Sequence, residues 1–129
     1  LALETDALHH AAQALSQTRQ KSCVPLATQI TALLQALGIP NATLDVVLQA
    51  TEPGPAGIDK IDIRFSANKG IAARPLAQVA SGGEFSRVMF CIKYVMAEKS
   101  AMPTLILDEI DSGISGEIAI KLGRMMKSM

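Results

Sequence analysis

Residues 81–115 read SGGEFSRVMFCIKYVMAEKSAMPTLILDEIDSGIS, and the fold turns on how this stretch is parsed. Ser81-Gly82-Gly83-Glu84 opens a helical run. It reads either as a capping box, with Ser81 over the third amide and Glu84 reaching back, or as an anion site. In the second reading Gly82 and Gly83, lacking side chains, let their N–H groups approach a phosphate with the helix dipole behind them. The helix is expected to bury Phe85, Met89, Ile92 and Met96 on one side. Past Pro103, Thr104–Leu107 has the look of a short buried strand. It closes in Asp108-Glu109, a carboxylate pair at the position where α/β folds place ligands. Asp108 there suits Mg²⁺, and Glu109 suits the polarisation of a water; two ordinary solvated acids after an apolar run are the plainer alternative. Asp111-Ser112-Gly113-Ile114-Ser115 is a tight turn with Ser115 as the N-cap of a last amphipathic helix, Glu117–Met129, carried by Ile118, Leu122 and Met125.

Working back toward the N-terminus, Ala67–Ala80 reads as a loop. Before it, Ile61, Ile63 and Phe65 alternate with Asp62 and Arg64, and Leu44, Val46 and Leu48 alternate with Asp45, Val47 and Gln49. With a turn-rich Thr51–Gly57 between them, they predict an antiparallel hairpin with one apolar face. Leu1–Leu37 is helical: Leu8, Ala12 and Leu15 continue into Leu26, Ile30, Leu33, Leu34 and Leu37 on a shared face. Pro25 interrupts it at a cost of roughly 3 kcal/mol, which predicts a kink or two helices meeting near Ser22–Val24. Gly38 and Pro40 stop it.

Composition sets the outer bounds. The 129 residues are 49% hydrophobic and 19% charged, one globular domain at most. Lys plus Arg and Asp plus Glu balance at 12 each, against a nucleic-acid patch spread over the whole domain. Two cysteines, Cys23 and Cys91, are too few for a disulfide framework or zinc cluster. Both read as small apolar residues. No apolar run reaches the roughly 20 residues of a membrane helix. Adjacent His9 and His10 read as solvated, and Lys69, Arg74, Arg87 and Lys93 as solvated bases rather than a phosphate-binding set. A chain that opens on Leu1 and stops inside a helix is expected to be a piece of a longer one.

In combination, the glycine-rich helix start, apolar strand, acidic pair and Ser/Gly turn resemble the second half of an ABC-type ATPase head. With LGIPNATLDVVL, GIDKIDIRFSAN and FSANKGIAARPLAQVASGGEF added, the chain from about Leu15 onward resembles the RecN family, bacterial DNA repair proteins related to the structural-maintenance-of-chromosomes (SMC) ATPases. The resemblance implies an α/β fold: the C-terminal part of a P-loop ABC-type ATPase head, with an N-terminal coiled-coil-type helix and an antiparallel hairpin. It divides the chain into 1–38, the end of a coiled-coil arm, and 39–129, the C-terminal lobe. Two heads of this kind sandwich ATP. The resemblance makes Ser81, Gly82, Gly83 and Glu84 the signature motif facing the other head's nucleotide. Asp108 becomes the Mg²⁺ support and Glu109 the general base, while Asp111 and Ser112 form the turn that couples the two sites.

The implied partners are an N-terminal half-head, a second head in a homodimer, and DNA. The implied location is the cytoplasm, at the nucleoid. No G-x-x-x-x-G-K-[ST] occurs in the chain, and the family's histidine after the turn is missing. The chain alone is therefore expected to hydrolyse no ATP, and to self-associate through uncovered apolar surface. Two rival readings are a non-catalytic helical interaction module and the half-head of another, transporter-type ABC ATPase.

Overall fold

The computed structural model describes residues 2–79, 82–100 and 104–129. Helix α1 runs Ala2–Ala36 without a break, with Pro25 inside it. Pro25 has no N–H to give the Lys21 carbonyl, yet the chain stays helical because α1 is fastened on both sides of that turn. After Pro25, Ile30, Leu34 and Leu37 are buried in the core. Before it, the Asp59 carboxylate accepts from Ser16 Oγ at 2.7 Å and from Arg19 Nη1 at 3.1 Å. The Asp59 side chain is only 6% exposed, so this ion pair is shielded from solvent.

The shared apolar face expected along α1 is half realised. Leu8 and Leu15 are exposed while Ala12 is buried: residues 4–11 are all exposed, and Leu15 reaches only the hairpin tip at Gly57. The stop is as the glycine predicts. The Ile39 N–H bonds to the Leu34 carbonyl at 3.1 Å and the Gly38 N–H to the Gln35 carbonyl at 3.4 Å, the two bonds of a Schellman cap. Gly38 has φ +88, and a Cβ there would stand 2.9 Å from Ile118 Cδ1. Backbone strain and the clash act together, so Gly38→Ala should cost about 1–3 kcal/mol in urea unfolding. A loss below about 0.5 kcal/mol, the range of neutral surface changes, would contradict this account of the cap.

Strands β1 (Thr43–Gly54) and β2 (Gly57–Ser66) form the expected antiparallel hairpin. Leu44 pairs with Phe65, Val46 with Ile63 and Leu48 with Ile61, which keeps the apolar alternation in register. The strands run further than expected: pairing continues, with one irregularity, from Ala50 to Gly54, leaving a turn at Pro55 and Ala56. The start of β1 is tied to α1, since Thr31 Oγ1 accepts the Leu44 N–H at 3.2 Å. The expected loop Ala67–Ala80 contains a short edge strand, β3 (Arg74–Pro75), paired with Arg64 and Phe65, and a 3₁₀ turn, Leu76–Gln78. Proline tolerates such an edge position because it has no N–H to leave unpaired.

Helix α2 (Gly82–Ala97) crosses α1 and buries Arg87, Val88, Phe90, Cys91 and Val95. This corrects the face expected from sequence, for Phe85 and Met96 are exposed and Met89 and Ile92 only half-buried. Apolar residues occupy nearly the whole circumference of α2, so spacing alone does not choose a side. Helix α3 (Gly116–Ser128) starts after Ser115 and buries Leu122 and Met125 as its pattern predicts. Ser115 holds the N-cap position but makes no side-chain cap bond there. Among the described residues no helix is long and apolar enough to cross a membrane.

The strand expected at Thr104–Leu107 is not formed. Residues 104–108 are irregular, and Ile106 is 81% exposed while Leu105 and Leu107 are half-buried. The side chains still alternate in and out, but a strand requires a ladder partner. Among the described residues none lies beside it.

Candidate functional site

The site is built where the N-terminal end of α2 meets the turn after the acidic pair. That turn closes on itself: the Ser112 N–H donates to the Glu109 carbonyl at 3.2 Å and the Ile114 N–H to the Asp111 carbonyl at 3.2 Å. Glu109 adopts φ +53, the one positive value among the described residues other than glycine. A side chain in that region is strained by about 1–3 kcal/mol and persists only where its surroundings enforce it.

Both glycines of the helix start are pressed against this turn. A Cβ at Gly82 would lie 2.5 Å from Glu109 Oε2, and one at Gly83 would lie 3.2 Å from both Ser112 Cβ and the Ser112 carbonyl oxygen. A larger residue at Gly82 would displace the Glu109 carboxylate, and one at Gly83 would press on the backbone of the turn at Ser112. The Glu109 carboxylate thus rests at the positive end of the α2 dipole, where unpaired helix N–H groups favour negative charge.

Of the residues singled out from sequence, Gly82, Gly83, Glu109 and Ser112 come together. Ser81 lies outside the described residues. Asp108 and Asp111 are exposed on the same stretch, and Glu84 is half-buried. Among the described residues no group of three or more His, Cys, Asp or Glu is placed to hold a metal ion. A single carboxylate such as Asp108 still matches Mg²⁺ binding to phosphates, in which one or two carboxylates suffice and waters complete the shell.

The structure corrects the reading of Arg87 as a solvated base. Its residue is 8% exposed, and its Nη1 donates to the Ser112 carbonyl at 2.8 Å. Helical spacing was the available signal, since Arg87 precedes Val88 and Cys91 on the buried side. One turn on, burial pushes the Cys91 thiol up to about 12, with the Arg87 charge pulling the other way. That thiol stays protonated and inert, consistent with its reading as a small apolar residue. His9 and His10 are exposed and belong to α1.

No family model matches the chain. The DNA repair protein RecN of Deinococcus radiodurans is 37% identical over 134 residues, covering all of this chain and 23% of the relative. RecN of Treponema pallidum is 38% identical over 127 residues, or 93% of this chain and 22% of the relative. RecN of Streptomyces coelicolor is 34% identical over 128 residues, 89% of this chain and 22% of its own. This is a RecN-like chain. It spans under a quarter of the length of the curated relatives it matches.

The RecN-like chain also superposes on the SMC head solved bound to the C-winged helix domain of ScpA. The TM-score is 0.56 at 16% identity, over 84% of this chain and 32% of that one. At that identity the likeness speaks for the fold. The expected fold class therefore stands: helices and a small antiparallel sheet of the ABC-type ATPase head.

Proposed function

We propose that residues 39–129 are the C-terminal lobe of an SMC-like ATPase head that acts in DNA double-strand break repair and recombination. Residues 1–38 are then the end of its coiled-coil arm. The observation that carries the reading is the packing of Gly82 and Gly83 onto the Glu109–Ser112 turn. It joins the helix start that faces the opposite head's nucleotide to the turn that carries the candidate general base, a contact that neither feature would need as a plain cap or a solvated acid.

In this reading the lobe works with an N-terminal half-head carrying the Walker A segment, with a second head, and with DNA, in the bacterial cytoplasm at the nucleoid. The ligand is ATP with Mg²⁺, the metal neutralising phosphate charge and Asp108 supporting it. The chain's own residues supply three things. The Gly82 and Gly83 amides, with Ser81 and Glu84, face the phosphate of the opposite head's nucleotide. Glu109 accepts the proton of the attacking water. Asp111 and Ser112 form the turn through which one site senses the other. Phosphoryl transfer asks mainly for such positioning and charge compensation. The 129-residue chain, without a Walker A segment, has no turnover of its own.

The test is Ser81→Arg in the full-length protein, followed by sedimentation with a non-hydrolysable ATP analogue. The bulky side chain occupies the place of the other head's phosphate. Nucleotide binding by each head should persist, and ATP-dependent head pairing should fall by about tenfold or more, a change of at least 1.4 kcal/mol. Pairing equal to the unsubstituted protein would reject the role of this segment across the head–head interface.

A further inference from the structure

Arg87 is more than nine-tenths buried, yet it has a single neutral acceptor, the Ser112 carbonyl, and its Nε is buried with no acceptor among the described residues. A guanidinium in that condition is an expensive way to fill a core. A well-packed apolar side chain of similar volume is commonly as good or better for stability. What the guanidinium does that an apolar residue cannot is hold the turn.

The connections run in sequence. Arg87 Nη1 grips the Ser112 carbonyl, and the N–H of the same Ser112 grips the Glu109 carbonyl. Glu109 is the residue held at φ +53. Its strained backbone is thus enclosed by a turn bonded to α2 at Ser112 and pressed by Gly82 and Gly83.

We infer that Arg87 is a positioning residue for Glu109, fixing the Glu109–Ser112 turn against α2 so that the carboxylate is held in one place. The inference rests on the proposed ATPase reading for its consequence in catalysis, though the tie itself is a property of the chain. It also makes α2 and the turn a single moving part. A displacement of the turn, such as engagement of another head would impose, is passed through Arg87 to the helix start at Gly82 and Gly83.

Two measurements test it. In the 129-residue chain, Arg87→Met should speed hydrogen exchange of the Ser112 amide by about tenfold or more relative to the amides of β1 and β2, since that amide opens locally once the turn is released. Unchanged relative protection at Ser112 would overturn the tie. In the full-length protein, Arg87→Met should lower kcat for ATP by about 10- to 100-fold, the effect of a misplaced catalytic group, with KM within about threefold. Arg87→Lys, which keeps a donor, should recover part of that loss.

The deciding comparison is the double variant. Arg87→Met added to Glu109→Gln should lower the residual turnover no further, because both act through one group. Losses that multiply would assign Arg87 a general structural role and overturn the positioning role. Glu109→Gln alone leaving turnover intact would instead defeat the reading of Glu109 as the base, with the exchange result still deciding whether Arg87 holds the turn.

Discussion

In the full-length protein, Glu109→Gln is expected to lower ATP turnover by at least about 10²-fold while leaving ATP affinity within about threefold, the size of effect associated with loss of a general base. Glutamine keeps the length and shape of the side chain, so its fit against Gly82 is preserved, along with the turn closed by the Ser112 N–H. What is lost is the capacity to take up a proton. Single-turnover phosphate release and equilibrium nucleotide binding, measured on the same preparation, separate the two effects. Turnover within about threefold of the unsubstituted protein would remove Glu109 from the chemistry. A parallel drop in binding would mean that the substitution had disturbed the turn.

The largest stability effect is expected at Leu34. Its side chain is 0% exposed and packs in the cluster that joins α1, the hairpin, α2 and α3. Leu34 also supplies the carbonyl that accepts the Ile39 N–H. Truncation to alanine removes buried methyl groups and leaves a cavity, at a cost of about 2–5 kcal/mol. Domains of this size have only about 5–15 kcal/mol in hand. Thermal unfolding of Leu34→Ala should therefore come on the order of 10 °C lower. Ile120→Ala, on the exposed side of α3, is the matched control and should shift little. Equal shifts for the two variants would place the core elsewhere.

How much was legible beforehand differs by element, and the reasons are physical. The hairpin and α3 are amphipathic, so alternation in the one and helical spacing in the other identify the buried face directly. The Leu34–Gly38 cap was legible because few residues other than glycine accept its backbone angle. Helix α2 is apolar nearly all round, and periodicity carries no information when most positions qualify. Spacing alone therefore does not tell Phe85 and Met96, which are exposed, from Arg87, which is buried. Thr104–Leu107 has strand composition, but strand formation is a pair property, and its sequence does not contain its partner. Leu8 and Leu15 follow the same logic on α1, where a stripe marks what a helix is able to bury and not what lies opposite.

For the site, Gly82, Gly83, Glu109 and Ser112 were found from local motifs. Arg87 was missed because its role depends on a carbonyl 25 residues away along the chain.

The Asp59 clamp on α1 has a mechanical meaning. Arg19 lies six residues before Pro25 in α1, about 9 Å along the helix at 1.5 Å per residue. The weakest turn, at Pro25, falls between that clamp and the core, and α1 behaves as a beam propped on both sides of its softest point. The direction in which the outer half points is then set by the hairpin tip that carries Asp59. Lengthening β1 and β2 by a residue pair would re-aim the helix without touching the core. A sideways push on the outer half meets the Asp59 clamp first, and what passes it is taken up at Pro25 before it reaches the core.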